Sequence, residues 1–222
     1  MCGRYQLTAT PESIAEHFQL PRLPRFQPSY NITPAQKILC IVELDDQSLK
    51  SVNLFWGLVP SWSKDDKNSH HLINARAETI REKPSFRAAF HKRRCLIVAN
   101  GFYEWQKLEH GKQAFHIHRQ DHQLFAFAGL WEHWEHEAQT LYSCTIITTA
   151  ATALMQPIHE RMPVILPKDH YRNWLDKSAT EDDVFQLLDN SAYTDMTPTL
   201  ISDYVNNPRH NDERCQIGRA HV

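Results

Sequence analysis

Residues 94–149 constrain the fold more than any other stretch. Five β-type runs, "RCLIVAN", "GFYEWQK", "QAFHIHR", "QLFAFAGLWEH" and "LYSCTIITT", follow one another with only short connections, some marked by glycine or asparagine. Tight turns join antiparallel neighbours, whereas parallel strands need long crossovers. The stretch therefore predicts a largely antiparallel sheet. Upstream, "KILCIVEL" and "SLKSVNLFWGL" flank Asp45 and Asp46 and read as a hairpin. Between the first helix and that hairpin, the proline-rich "LPRLPRFQPSYNITP" forbids regular structure for about ten residues.

Helical patterns are few. Thr10 can cap a helix that starts at Pro11 and sets Ile14 and Phe18 one turn apart. "AETIREKPSFRAAF" is interrupted by Pro84, "KDHYRNWLD" is short, and Thr180 is placed to cap "TEDDVFQLLDN". Strands outnumber helices without regular β-α alternation. The expectation is an α+β fold, a single domain over residues 1–222 with a largely antiparallel, barrel-like sheet and peripheral helices. No linker, repeat or low-complexity tract divides the chain, and the terminal "IGRAHV" follows no recognisable pattern.

Five cysteines without a C-x-x-C pair indicate neither a disulfide framework nor a zinc ribbon, which favours a reducing, cytoplasmic setting. The N-terminus lacks the apolar run of a signal peptide, and no window is long and apolar enough for a membrane span. There is no G-x-G-x-x-G, P-loop, G-x-S-x-G or H-E-x-x-H motif. His116 and His118 alternate on one strand and "WEHWEHE" reads as a polar connection, so surface histidines outweigh a metal site and no metal is expected. Net charge is -2, yet Arg76, Arg81, Lys83, Arg87, Lys92, Arg93 and Arg94 face only Glu78 and Glu82 within one short block. That block is either a solvated helix face or a polyanion site.

Several polar residues stand in unusual places. Removal of Met1 would leave Cys2 with an α-amine (ordinary pKa about 8) and a thiol (about 8.5) on adjacent carbons; an inert cysteine is the plainer alternative. Glu104 lies between Tyr103 and Trp105, where desolvation would raise its pKa toward an acid/base range, or it faces solvent on an alternating strand. Asn74 and Arg76 occur in "LINARAET". His159 and Arg161 occur in "PIHERMP", at a helix-to-strand junction where a histidine can also merely cap.

In order along nearly the whole chain, "MCGRY", "YNITP", "FWGLVPSW", "INARAET", "RRCLIVANGFYEW", "AFAGLW" and "IHERMPVIL" resemble the SOS-response-associated peptidase (SRAP) family. The resemblance implies a barrel-like sheet and, as partner, single-stranded DNA containing abasic sites. It also implies a covalent crosslink to the lesion through an exposed N-terminal cysteine, with no cofactor. At the matched positions it implies catalytic roles for Cys2, Asn74, Glu104 and His159, phosphate contacts from Arg4, Arg76 and Arg161, and an aromatic face at the DNA groove from Trp62. Two departures bear on how DNA bends rather than on crosslinking. One is the polar insert at 63–73, "SKDDKNSHHLI"; the other is Pro84 and Ser85, where some members carry an arginine and a bulky wedge residue.

The implied chemistry is attack of the Cys2 amine on the open sugar aldehyde, then closure of a thiazolidine by the thiol. Glu104 and His159 move protons, Asn74 holds the amine, and a weak lyase activity through β-elimination accompanies the imine. A monomer, nucleoid-associated when on DNA, is expected. The alternatives are a thiol peptidase pairing Cys2 with His159, including self-removal of Met1, and a non-covalent reader of modified bases. A chain terminus is a poor mount for attack on an exogenous peptide, and no oxyanion-hole motif is visible.

Overall fold

The structure, a computed structural model, describes residues 2–67, 69–189 and 195–218. The readings that concern Met1, and residues 219–222 of the terminal "IGRAHV", lie outside the described residues. The chain begins with β1 (Tyr5–Leu7), α1 (Pro11–Phe18), β2 (Ser29–Ile32), β3 (Lys37–Glu43), β4 (Leu49–Trp56) and β5 (Asn74–Arg76). The middle holds α2 (Arg87–Lys92), β6 (Arg94–Ala99), β7 (Gly101–Lys107), β8 (Lys112–Arg119), β9 (Phe125–His136) and β10 (Gln139–Ala150). The last part is β11 (Arg161–Pro163), β12 (Ile165–Leu166), α3 (Tyr171–Leu175), α4 (Glu181–Gln186) and β13 (Met196–Leu200).

The α+β expectation holds, and its barrel-like sheet resolves into two sheets. One closes on itself: β10, β4, β3, β6 and β9 pair in that order and β9 returns to β10, giving a five-stranded barrel edged by β5, β11 and β12. The other is open, in the order β13-β8-β7-β1-β2. Pairing is antiparallel except that β10 runs parallel to β4 and to β5. Tyr5 meets Trp56 and Phe127 edge-on at 5.5 and 5.8 Å, and Phe102 meets Phe127 at 5.8 Å, so aromatic edges join the open sheet to the barrel.

The local signals act as expected. Thr10 accepts from the Ser13 N–H and Thr180 from the Asp183 N–H, capping α1 and α4. Ile14 and Phe18 are buried, worth about 2 kcal/mol each in apolar transfer. The segment around Pro84 keeps only one 3-10 turn at Ala77–Thr79 and the short α2, because proline removes a donor and clashes with the preceding turn.

Two readings are corrected. "WEHWEHE" is not a connection: β9 runs through it to His136, and a two-residue turn at Glu137 (φ 52°) leads into β10. Without glycine or asparagine at the tip, nothing in the sequence marked that turn. Glu132 is buried there against Arg93 at 2.8 Å, and the Trp134 indole donates to Ser63 O at 2.8 Å. His116 and His118 are buried rather than on the surface, and burial lowers His116 to a pKa of about 3. The proline-rich stretch is irregular for about ten residues, as expected, and β2 then starts at Ser29 within the quoted segment. Among the described residues no group of His, Cys, Asp or Glu is arranged to hold a metal ion, and no helix is long and apolar enough to cross a membrane. All five cysteines are buried free thiols.

Candidate functional site

Strand β10 is the beam of the site. Along one edge it holds β5, with Asn74 opposite Ile146 and Arg76 opposite Thr148; along the other it holds β11, with Arg161 opposite Ala150. In β5 and the turn after it, Ala75 and Ala77 are buried, which turns Asn74, Arg76 and Glu78 to the other side. The Trp56 indole donates to Ile73 O at 2.9 Å and fixes the chain just before Asn74.

The Asn74 amide donates from Nδ2 to Cys2 O at 3.0 Å and to Ile73 O at 3.0 Å. Its Oδ1 is buried and accepts from no described residue, leaving an acceptor beside the start of the chain. The Cys2 side chain is fully buried. Burial pushes its thiol far above the ordinary range, the Glu104 charge adds to the rise, and the backbone N–H of Arg4 opposes it.

Glu104 sits at the middle of β7 and is buried, which decides between the two sequence readings. Its aromatic neighbours are not the cause. Tyr103 and Trp105 point to the opposite face of the strand, where the Tyr103 hydroxyl donates to Gln6 Oε1 and Tyr30 O and the Trp105 indole to Asn206 Oδ1. Glu104 points the other way, toward the barrel. Desolvation raises its pKa, and nearby positive charge, His159 included, pulls it back. Gln106, on the same face as Glu104, donates to Pro157 O at 2.8 Å and ties β7 to the 151–160 loop that carries His159.

His159 Nδ1 lies 2.9 Å from the Arg161 amide nitrogen and 3.1 Å from the Arg161 carbonyl oxygen. An amide N–H only donates, so the neutral ring carries its proton on Nε2; a protonated ring would instead donate from Nδ1 to the carbonyl. The Arg161 guanidinium forks onto Glu78 (Nη1 to Oε1 2.6 Å, Nη2 to Oε2 3.0 Å) and donates to Thr148 O at 2.7 Å.

Thus Cys2, Asn74, Glu104 and His159 come together in the seam between the two sheets, with Arg161 and Arg76 on its rim. Arg4 adjoins Cys2 in the chain, yet its guanidinium lies on the Trp105 side, 5.6 Å from that ring, where Nη1 donates to Asn31 Oδ1 and Val205 O. Trp62 is 64% exposed on a turn, its indole 3.4 Å from Pro84 O, so one departing position supports it directly.

The basic block is divided. Arg94 is buried and donates to the carbonyls of Phe90, His91, Trp174 and Asp176, Arg93 pairs with Glu132, and Arg81 with Asp182. Arg76, Lys83, Arg87 and Lys92 remain for solvent or ligand. Sequence reasoning missed Glu78, which entered only as a charge offset. The signal that could have found it is an acid two positions after Arg76 in an otherwise basic stretch.

Both the sequence and the fold have known relatives. A family model described as SOS response associated peptidase (SRAP) matches residues 1–208. The abasic site processing protein YoaM of Bacillus subtilis is 44% identical over 229 residues, covering 100% of both chains. The abasic site processing protein HMCES of Xenopus tropicalis is 30% identical over 261 residues, covering 97% of this chain and 77% of that one. A crystal structure of a protein from Bacteroides thetaiotaomicron superimposes with a TM-score of 0.86 at 24% identity, over 99% of this chain and 100% of that one, a likeness of fold.

Proposed function

The chain belongs to the SRAP family, and on that premise we propose that it processes abasic sites in DNA, capturing the lesion as a covalent adduct of Cys2. The observation that carries the reading is Glu104, a buried carboxylate with a raised pKa whose charge is felt at the Cys2 thiol and opposed by His159. Such a group holds its proton more readily than an exposed carboxylate, which suits a proton donor and acceptor in imine chemistry.

Once Met1 is removed, the α-amine of Cys2 adds to the aldehyde carbon of the opened deoxyribose. Glu104 or His159 protonates the departing hydroxyl, water leaves, and an imine forms. The thiol sulfur then adds to the imine carbon, its proton passes to the nitrogen, and a thiazolidine closes. The free Asn74 Oδ1 accepts from the amine and holds it at the carbon. A thiol kept protonated by burial suits this order of events, with amine first and sulfur second. It suits the thiol-peptidase alternative poorly, because that chemistry needs a lowered thiol pKa. The open imine can also eliminate, giving a weak lyase activity that ring closure suppresses.

Single-stranded DNA is the proposed substrate form, since an unpaired lesion and its neighbouring bases are open to the seam and to stacking on the exposed Trp62. Arg76 and Arg161 hold flanking phosphates, and Arg4 adds charge with the guanidinium nitrogens that Asn31 and Val205 leave free. The test is a denaturing gel after mixing the processed protein with single-stranded DNA bearing one abasic site. A heat-resistant slow band is expected; its absence overturns the reading.

A further inference from the structure

The Arg161 fork is occupied, and by a carboxylate of the protein itself. Both terminal nitrogens face both oxygens of Glu78, at 2.6 and 3.0 Å, the paired geometry that arginine also offers to two oxygens of a phosphate. The partners are unequally held. The Arg161 side chain is 14% exposed and is anchored a second time by Thr148 O at 2.7 Å, whereas that of Glu78 is 48% exposed on the rim. The guanidinium can stay in place while the carboxylate swings out. Arg76, exposed and two residues away, adds its charge to that of Arg161 in holding Glu78 ionised.

We propose that Glu78 is an internal stand-in for a DNA phosphate, exchanged for the real one when a strand binds, and so weakens the hold on undamaged DNA. The inference rests on the reading of Arg161 as a phosphate contact. The exchange replaces one charge-assisted pair by another, so Arg161 contributes little net affinity while Glu78 is present. The released carboxylate also returns a negative charge beside the strand, cancelling the counterion release that one phosphate contact would give. Lesion-free DNA, which gains no covalent bond, then dissociates readily.

The test uses fluorescence anisotropy with an undamaged single-stranded oligothymidylate at several salt concentrations. The proteins are wild type, Glu78→Gln, Glu78→Ala, Arg161→Ala and Glu78→Gln combined with Arg161→Ala. Both Glu78 variants are expected to bind roughly three- to tenfold tighter, with the slope of log K against log salt steeper by about 0.7. In the Arg161→Ala background the gain should vanish. An equal gain in both backgrounds would mean plain repulsion between Glu78 and DNA, and overturns the exchange. So does the absence of any gain in the Glu78 variants, a result that leaves the abasic-site reading standing. If the double variant binds as tightly as Glu78→Gln alone, the phosphate contact and this inference fall together, whereas crosslinking on the denaturing gel reports separately on the function.

Discussion

The two faces of strand β7 are both shielded from water, and they are filled by opposite chemistries. Toward the C-terminal segment, Tyr103 and Trp105 give their donors to Gln6, Tyr30 and Asn206. Asn31 beside them takes the Arg4 guanidinium and donates to the carbonyls of Val205, Asn207 and His210. Toward the barrel, Glu104 carries a raised pKa, the Cys2 thiol is pushed up, and Asn74 keeps an unfilled acceptor. Burial by itself does not make a site. On the first face the polar groups complement one another; on the second, dry groups with shifted pKa values lie together, the arrangement that the proposed chemistry needs.

The comparison breaks most visibly at Cys2. With Cys2→Ser the amine remains, so an imine should be trappable by borohydride, but the durable adduct should be lost entirely and strand nicking should rise. Time courses with and without reductant check this, and an unreduced adduct as stable as wild type's would exclude the thiazolidine. Next in size, Glu104→Gln should slow adduct formation by about 10²- to 10⁴-fold, the range of a lost general acid/base, without altering the product.

The same substitution reads the electrostatics. A carboxyl whose pKa is raised on folding keeps its proton above the unfolded value of about 4.3, so folding stability falls as pH rises from there through the folded pKa. Gln does not ionise. In urea melts the stability of Glu104→Gln relative to wild type should therefore improve from pH 4 to pH 8; a difference independent of pH contradicts the raised carboxyl. On the opposite face, Tyr103→Phe should cost about 1–2 kcal/mol of stability, because Tyr30 O and Gln6 Oε1 lose the donor they share, and leave the crosslinking rate of the folded protein unchanged. A rate loss there would blur the division between the faces. The smallest effect belongs to the rim: Arg76→Ala should reduce the slope of log K against log salt by about 0.7, with a several-fold loss of affinity for single-stranded DNA.

Much of this molecule was legible before folding. The β-type runs, the hairpin around Asp45 and Asp46, and the caps Thr10 and Thr180 express local periodicity and local hydrogen bonding, and they form where the sequence puts them. Six strands were missed: β1, β5, β11 and β12 are two or three residues long, too short to carry a period, while β2 and β13, of four and five residues, each contain or adjoin a proline-marked segment, and all exist because a neighbour pairs with them. "WEHWEHE" misled because its charged and aromatic residues are buried by distant partners, Arg93 and Ser63.

By itself, then, the sequence determined the strand-rich class and the capped helices and, through the family resemblance of its motifs, raised the expectation that Cys2, Asn74, Glu104 and His159 act as a set. Only the tertiary structure decided which way Glu104 points and what makes it dry. It also decided that Arg94 bonds four backbone carbonyls while Arg76 stays exposed, and that Glu78 fills the fork of Arg161. The reason is physical. Alternation along a strand assigns residues to two faces, but burial of both faces needs a separate layer on each, here the barrel on one side and the segment around Asn206 on the other. Those layers come from remote parts of the chain, and no local pattern encodes which of them a given side chain will meet.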